Sequence, residues 1–135
     1  MEKINVSAQA ESLDEVLDFI TRILSRAGAD PKRQSGLLIA AEEVFVNIAG
    51  YAYPSGNGEV TVAAEAGQNG FIMEFSDEGT PYNPLERADP DISLSAEDRK
   101  IGGLGIYMVK KMMDETEYRY CGGRNILTLR KKIFI

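Results

Sequence analysis

The chain has 135 residues, enough for one ordinary domain with a sizeable core. Its formal charge of -6 and pI near 4.7 disfavour a nucleic-acid backbone or an anionic membrane as the main partner. The absence of histidine excludes Ser-His-Asp triads, most zinc sites and phosphohistidine relays, and the single cysteine, Cys121, excludes an intrachain disulfide.

In chain order, Met1 to Ala10 carries no long apolar run, so neither a signal peptide nor a membrane span is expected, and the expected location is cytoplasmic. Ile4 to Ala8 reads as an edge strand. Ser12 is an N-cap candidate, and Leu13, Val16, Leu17, Ile20, Ile23 and Leu24 then follow at helical spacing to Gly28. Asp30-Pro31 caps a second helix with proline at its first position, and Leu37, Ala41, Val44 and Ile48 form its buried stripe. At about 100° per residue Glu43 and Asn47 flank that stripe, whereas Glu42 points away towards solvent. The helix is expected to end between Tyr51 and Pro54, with Ser55-Gly56-Asn57-Gly58 as a turn.

Two alternating strands follow, Val60-Val62-Ala64 and Phe71-Met73-Phe75, joined as a hairpin through Gly67 to Gly70. Thr80 to Ile101 holds three prolines (Pro81, Pro84, Pro90) and many charges, the pattern of a lid, a binding loop or a disordered segment, with little structure of its own expected. Gly102-Gly103-Leu104-Gly105 opens a third helix that runs to about Asp114, and strands near Glu117 to Cys121 and Asn125 to Lys132 close the chain. Cys121, beside Gly122 in a turn, is expected to be structural.

Glu43 and Asn47 are four residues apart and therefore share a helix face. An amide oxygen suits a magnesium ion that also holds phosphates, and a nearby carboxylate can take a proton from an attacking hydroxyl. Asp77 ends an alternating strand with Gly79 following where the backbone turns, and reads either as a plain strand-ending turn or as a buried acceptor for an exocyclic amine such as adenine's. The glycines Gly102, Gly103 and Gly105 offer bare backbone amides at a helix start, and Arg99, Lys100, Lys110 and Lys111 are basic residues near enough in sequence to meet phosphates. The segment is not a phosphate loop ending in Gly-Lys-Ser/Thr, and no dinucleotide-binding strand precedes it.

In order, Glu43-Val44-Phe45-Val46-Asn47, Asp77-Glu78-Gly79 and Gly103-Leu104-Gly105 resemble the N box and the two glycine boxes of the GHKL ATPases, the superfamily of gyrase, the heat-shock chaperone ATPases, MutL and the histidine kinases. Gly122-Gly123-Arg124-Asn125-Ile126-Leu127-Thr128-Leu129 resembles the last glycine turn and strand, and the likeness runs from about Ile4 to Ile133. The acid four residues before the asparagine, the small size and the lack of a dimerisation helix narrow it to the stand-alone anti-sigma-factor serine-protein kinases.

That resemblance implies an α+β two-layer sandwich of the Bergerat type, a mixed, mostly antiparallel sheet covered on one face by about three helices. It implies a single ATP-binding kinase domain over residues 1–135, with residues 80–101 as the ATP lid. Carried over by position, Glu43 is the general base, Asn47 the magnesium ligand, and Asp77 the adenine contact. Gly79, Gly102, Gly103, Leu104 and Gly105 complete the ATP site. ATP and magnesium are the implied cofactors. The implied partners are a STAS-domain antagonist, phosphorylated on serine or threonine, a sigma factor, and a second copy of the chain in a homodimer.

Two departures stand out. Thr80-Pro81-Tyr82 replaces the usual second glycine after Asp-x-Gly, which predicts a stiffer lid hinge. Asp14-Glu15 stands where a basic, partner-facing residue is expected, which predicts a different partner surface. The alternatives to a partner-switching kinase are a nucleotide-dependent protein-binding module without phosphoryl transfer and a plain ATPase.

Overall fold

The computed structural model describes residues 1–86 and 103–133. Eight main elements follow one another: β1 (Glu2–Ser7), α1 (Leu13–Arg26), α2 (Pro31–Tyr51), β2 (Glu59–Gly67), β3 (Gly70–Asp77), α3 (Gly103–Met112), β4 (Glu115–Cys121) and β5 (Arg124–Lys131), with short 3-10 turns at Ala10–Ser12 and Pro84–Glu86. The strands form one sheet in the order β1-β2-β3-β5-β4. Every pairing among the described residues is antiparallel, so the expected α+β architecture is present without the parallel pair that a mixed sheet would include.

Period-two alternation sets the helix-facing side of the sheet. Phe71, Met73, Phe75 and Asp77 point one way from β3, and Leu127 and Leu129 lie beside them on β5 in register with Phe75 and Met73. Against this face α1 buries Val16, Phe19, Ile20, Ile23 and Leu24, while α2 buries Leu37, Ala40, Ala41, Val44 and Phe45. Burying each of the larger side chains contributes about 1.5–3 kcal/mol relative to exposure, so this layer supplies most of the cohesion.

The termini of the elements follow local chemistry. The Asp30 carboxylate accepts from the Arg33 amide at 3.2 Å, with Pro31 in the first turn, as its sequence predicts. Ser12, expected as an N-cap, makes no capping bond, because the Ala10–Ser12 turn leads into α1 with helical backbone and the hydroxyl pairs with Ser7 at 3.3 Å. Gly122 and Gly123, at φ 60 and 78, form the two-residue turn between β4 and β5, a conformation that disfavours side chains at both positions. Cys121, expected to be structural, is exposed at the end of β4.

Candidate functional site

A cleft of about 480 Å³, including the part open to solvent, lies between the C-terminal half of α2, the ends of β3 and β5, and the start of α3. Its walls are mostly apolar, with Val44, Ile48, Phe75, Ile106 and Leu127 among them, and a few polar groups converge on it: Asn47, Asp77, Tyr118 and Asn125. An apolar cleft with few, placed polar groups is the usual form of a small-molecule site.

Asp77 reaches the cleft because β3 alternates, and its carboxylate takes the inward position after Phe71, Met73 and Phe75. It is only 4% exposed. Oδ1 accepts from the Gly79 amide at 2.9 Å and from Asn125 Nδ2 at 2.9 Å. No described residue donates to Oδ2. Two fixed donors on one oxygen thus hold the carboxylate and leave the other oxygen to a ligand.

Gly79 was expected to serve a turn, but its φ is not positive, and the reason for glycine is a close approach. A Cβ there would overlap the Ala52 carbonyl at the end of α2, and the next amide, Thr80, donates to that same carbonyl at 2.9 Å. The root of the expected lid is anchored in other ways too. The Tyr82 amide donates to Asn125 Oδ1 at 3.1 Å, the Leu85 amide to Asn83 Oδ1 at 2.9 Å, and Pro84 is buried. Little structure was expected across Thr80 to Ile101, yet residues 80–86 are tied down by these hydrogen bonds and by buried Pro84, although Thr80, Pro81, Tyr82 and Glu86 are exposed; the remainder of that stretch lies outside the described residues.

At the other end, Asn47 lines the cleft and Glu43 stands one helical turn before it. A Cβ on Gly105 would overlap Glu43 Oε2, so the carboxylate rests on the first turn of α3, where the helix dipole favours a negative charge. Glu42, expected to be solvated, is half-buried like Glu43. Of the glycine run, Gly103, Leu104 and Gly105 open α3, and Gly102 lies outside the described residues.

Four contributors were missed when the sequence was read alone. Asn125 is 7% exposed and bonds Asp77, the Thr80 carbonyl and the Tyr82 amide. Tyr118 donates its hydroxyl to Asn125 Oδ1. Tyr53 accepts from the Glu78 amide at 2.8 Å and donates to the Glu59 carbonyl at 2.7 Å, while its ring lies so close to Gly58 that a Cβ there would overlap it. Ala52 supplies the carbonyl against which Gly79 packs. Burial pushes the Tyr53 and Tyr118 hydroxyls above their ordinary pKa, the nearby Asp77 charge adding to it, so both stay protonated donors at neutral pH. Only Asn125 left a signal: asparagine is depleted in strands, and it falls on the inward side of β5 with Leu127 and Leu129.

The fold is that of an ATPase-domain class, and the chain belongs to the family of the histidine kinase-like ATPase domain, whose model matches residues 6–131. Membership bears out the likeness to the GHKL ATPases and implies ATP binding. Among curated relatives, the serine-protein kinase RsbW of Listeria monocytogenes is 28% identical over 113 residues, which is 80% of this chain and 72% of that one. The serine/threonine-protein kinase BtrW of Bordetella bronchiseptica is 23% identical over 127 residues, 93% of this chain and 89% of its own. Two solved structures share the fold. That of the RsbU and RsbW domains of Rv1364c from Mycobacterium tuberculosis has a TM-score of 0.62 at 16% identity, covering 98% of this chain and 33% of that one. The catalytic domain of histidine kinase ThkA has a TM-score of 0.56 at 12% identity, covering 99% of each chain. No helix among the described residues is long and apolar enough to cross a membrane.

Proposed function

We propose that the chain is an ATP-dependent serine/threonine protein kinase of the anti-sigma-factor type, which phosphorylates a STAS-domain antagonist and works as a partner-switching regulator. The observation that carries the reading is the position of Glu43, whose carboxylate rests on Gly105 one helical turn from Asn47 at the cleft wall. A module that only bound nucleotide would need no acid there. The names of the relatives, serine-protein kinase and serine/threonine-protein kinase, support the same reading.

The residues present fit the nucleotide. The apolar walls suit a purine ring, and the second oxygen of Asp77 suits the exocyclic amine of adenine. They also fit a magnesium ion held together with phosphates, since Asn47 at the cleft wall offers a hard amide oxygen. Magnesium, when bound, would neutralise charge developing on the phosphates.

In this reading residues 1–135 form one kinase domain, with 80–101 as its lid. Gly79 lets the chain pass α2 closely at the base end. The backbone amides of Gly102, Gly103, Leu104 and Gly105 donate to phosphate oxygens at the start of α3. Glu43 accepts the proton of the partner's serine or threonine hydroxyl as its oxygen bonds to the terminal phosphorus and the bond from that phosphorus to the bridging oxygen breaks, releasing ADP. A sigma factor and a second copy of the chain are the further partners.

The test mixes the protein with ATP labelled on its terminal phosphate and the STAS proteins of its own source. Label on a serine or threonine of one of them is the expected result. Binding of ATP without transfer to any would leave a nucleotide-gated binding module, and failure to bind ATP would overturn the reading altogether.

A further inference from the structure

Asn125 makes more contacts around the cleft than any group yet given a role. Its Nδ2 donates to Asp77 Oδ1 at 2.9 Å, to the Thr80 carbonyl at 3.1 Å and, more weakly, to the Gly79 carbonyl at 3.4 Å. Its Oδ1 accepts from the Tyr82 amide at 3.1 Å and from the Tyr118 hydroxyl. The orientation of the amide is set by these partners: backbone carbonyls can only accept, and the Tyr82 amide can only donate. No other common side chain of this size carries two donors and an acceptor in one plane. Leucine would fill the space and leave the Tyr82 amide and the Thr80 carbonyl without these bonds. A carboxylate in place of the amide would face Asp77 with like charge.

We propose that Asn125 is a positioning residue that holds the Asp77 carboxylate, Gly79 and the first residues of the lid, Thr80 to Tyr82, as one unit. The inference rests on the nucleotide reading of the cleft. Through Nδ2 it occupies Asp77 Oδ1, so that Oδ2 alone is presented to a base amine. Through the Thr80 and Tyr82 backbone it ties that same carboxylate to the segment where the lid begins. An adenine that draws on Asp77 therefore also bears on the lid root, and a guanine, which presents a carbonyl at the equivalent edge, would meet the carboxylate acceptor to acceptor. The arrangement also accounts for a lid that begins with Thr80-Pro81-Tyr82: the hinge is clasped by a side chain from β5 and does not rely on a second glycine.

The discriminating variant is Asn125→Asp. When one proton is shared by Asp77 and the new carboxyl, a carboxylic O–H can replace the Nδ2 donor; when both are ionised the donor is gone and the two repel. The apparent pKa of such a buried pair is raised, so affinity for a non-hydrolysable ATP analogue should fall as pH rises from 5.5 to 8.5. Relative to wild type at each pH, the fall should be about tenfold or more, in keeping with the loss of a buried charge-assisted bond. The charged and titratable groups near this pair include Glu78, which is paired with Arg124, and Glu86, Tyr53, Tyr118 and Tyr120; Tyr53 and Tyr118 have pKa values pushed above the usual range and so do not titrate in that window. Over the same pH range, amide exchange of residues 79–82, compared with wild type at equal pH, should speed up in step.

Tyr118→Phe, which removes only a hydroxyl, provides a second variant if Asn125→Asp does not fold. Its preference for ATP over GTP analogues should shrink about threefold, the scale of one hydrogen bond to a neutral partner. A pH-independent Asn125→Asp affinity would overturn the inference. So would faster exchange at residues 79–82 without the affinity change, the reverse, or an unaltered base preference in Tyr118→Phe. Wild type that binds no ATP analogue would overturn the nucleotide reading and this inference together, whereas wild type that binds while the variants behave like it would overturn this inference alone.

Discussion

At the Asp77 end of the cleft both donors to Oδ1 are in place, and the chain around Gly79 is pressed against a backbone carbonyl. At the opposite end the Glu43 carboxylate rests on Gly105 with no hydrogen bond or ion pair among the described residues, the tip of a side chain with three rotatable bonds against the first turn of a helix. Both ends depend on a glycine where a Cβ would overlap a neighbour. The neighbour at Gly79 is rigid and that at Gly105 is not. The Asp77 end is therefore preorganised by the fold, while the Glu43 end is adjustable, and on the proposed kinase reading it would adjust to a phosphate and a hydroxyl.

The largest expected effect tests the rigid end. Gly79→Ala places a Cβ on the Ala52 carbonyl, and neither α2 nor β3 can retreat without breaking the Thr80 amide bond to that same oxygen. We expect a loss of about 3 kcal/mol in stability, at the upper end of overpacking costs, together with lost nucleotide binding. Denaturant unfolding would measure it, and a cost under about 1 kcal/mol would mean this end is as adjustable as the other.

The next tests use the adjustable end. Glu43→Gln keeps shape and removes basicity, so ATP binding should persist while phosphoryl transfer slows roughly a hundredfold or more. Equal turnover in single-turnover assays would remove the base assignment. For Asn47→Ala we expect affinity for the nucleotide with magnesium to fall about tenfold, with little change in its absence, since one oxygen ligand among several is lost. Titration calorimetry with and without the metal separates the two, and an equal loss in both would assign Asn47 to packing.

The same contrast explains what could be read from the sequence. Asp77 was legible because β3 alternates cleanly and carries it inward as the fourth member of a series. Glu43 and Asn47 were legible because helical periodicity puts them beside the buried stripe. These are local patterns, set by neighbours within a turn or a pleat. Asn125 reads from the sequence only as part of a strand, since its partners other than Tyr118 lie 43 to 48 residues away and only the pairing of β3 with β5 brings them together. The function of Gly79 was misread for a related reason: a close approach between α2 and the end of β3 is a property of packing, and the sequence shows only that a side chain is missing. The anchored lid root was likewise hidden, because three prolines and scattered charge do not show that Thr80 is tied to Ala52 at the end of α2, that Tyr82 is tied to β5, or that Asn83 closes a local turn.

The smallest expected effect separates stability from chemistry. Gly105→Ala adds a Cβ inside the first turn of α3, at a position without positive φ. Alanine is the better helix former, so the folded state should gain up to about 0.5–1 kcal/mol, provided the only overlap is relieved. That overlap is with Glu43 Oε2, the mobile end of its side chain, and rotating it away costs little. The carboxylate then no longer rests at the start of α3, and a base displaced by about an ångström should slow transfer several-fold. Thermal melting and transfer assays on one preparation would read both quantities. A variant that is more stable and slower is the signature of an adjustable acid displaced on an otherwise sound scaffold. A variant that is less stable and slower would instead show that Glu43 is held as rigidly as Asp77, and the difference between the two ends would disappear.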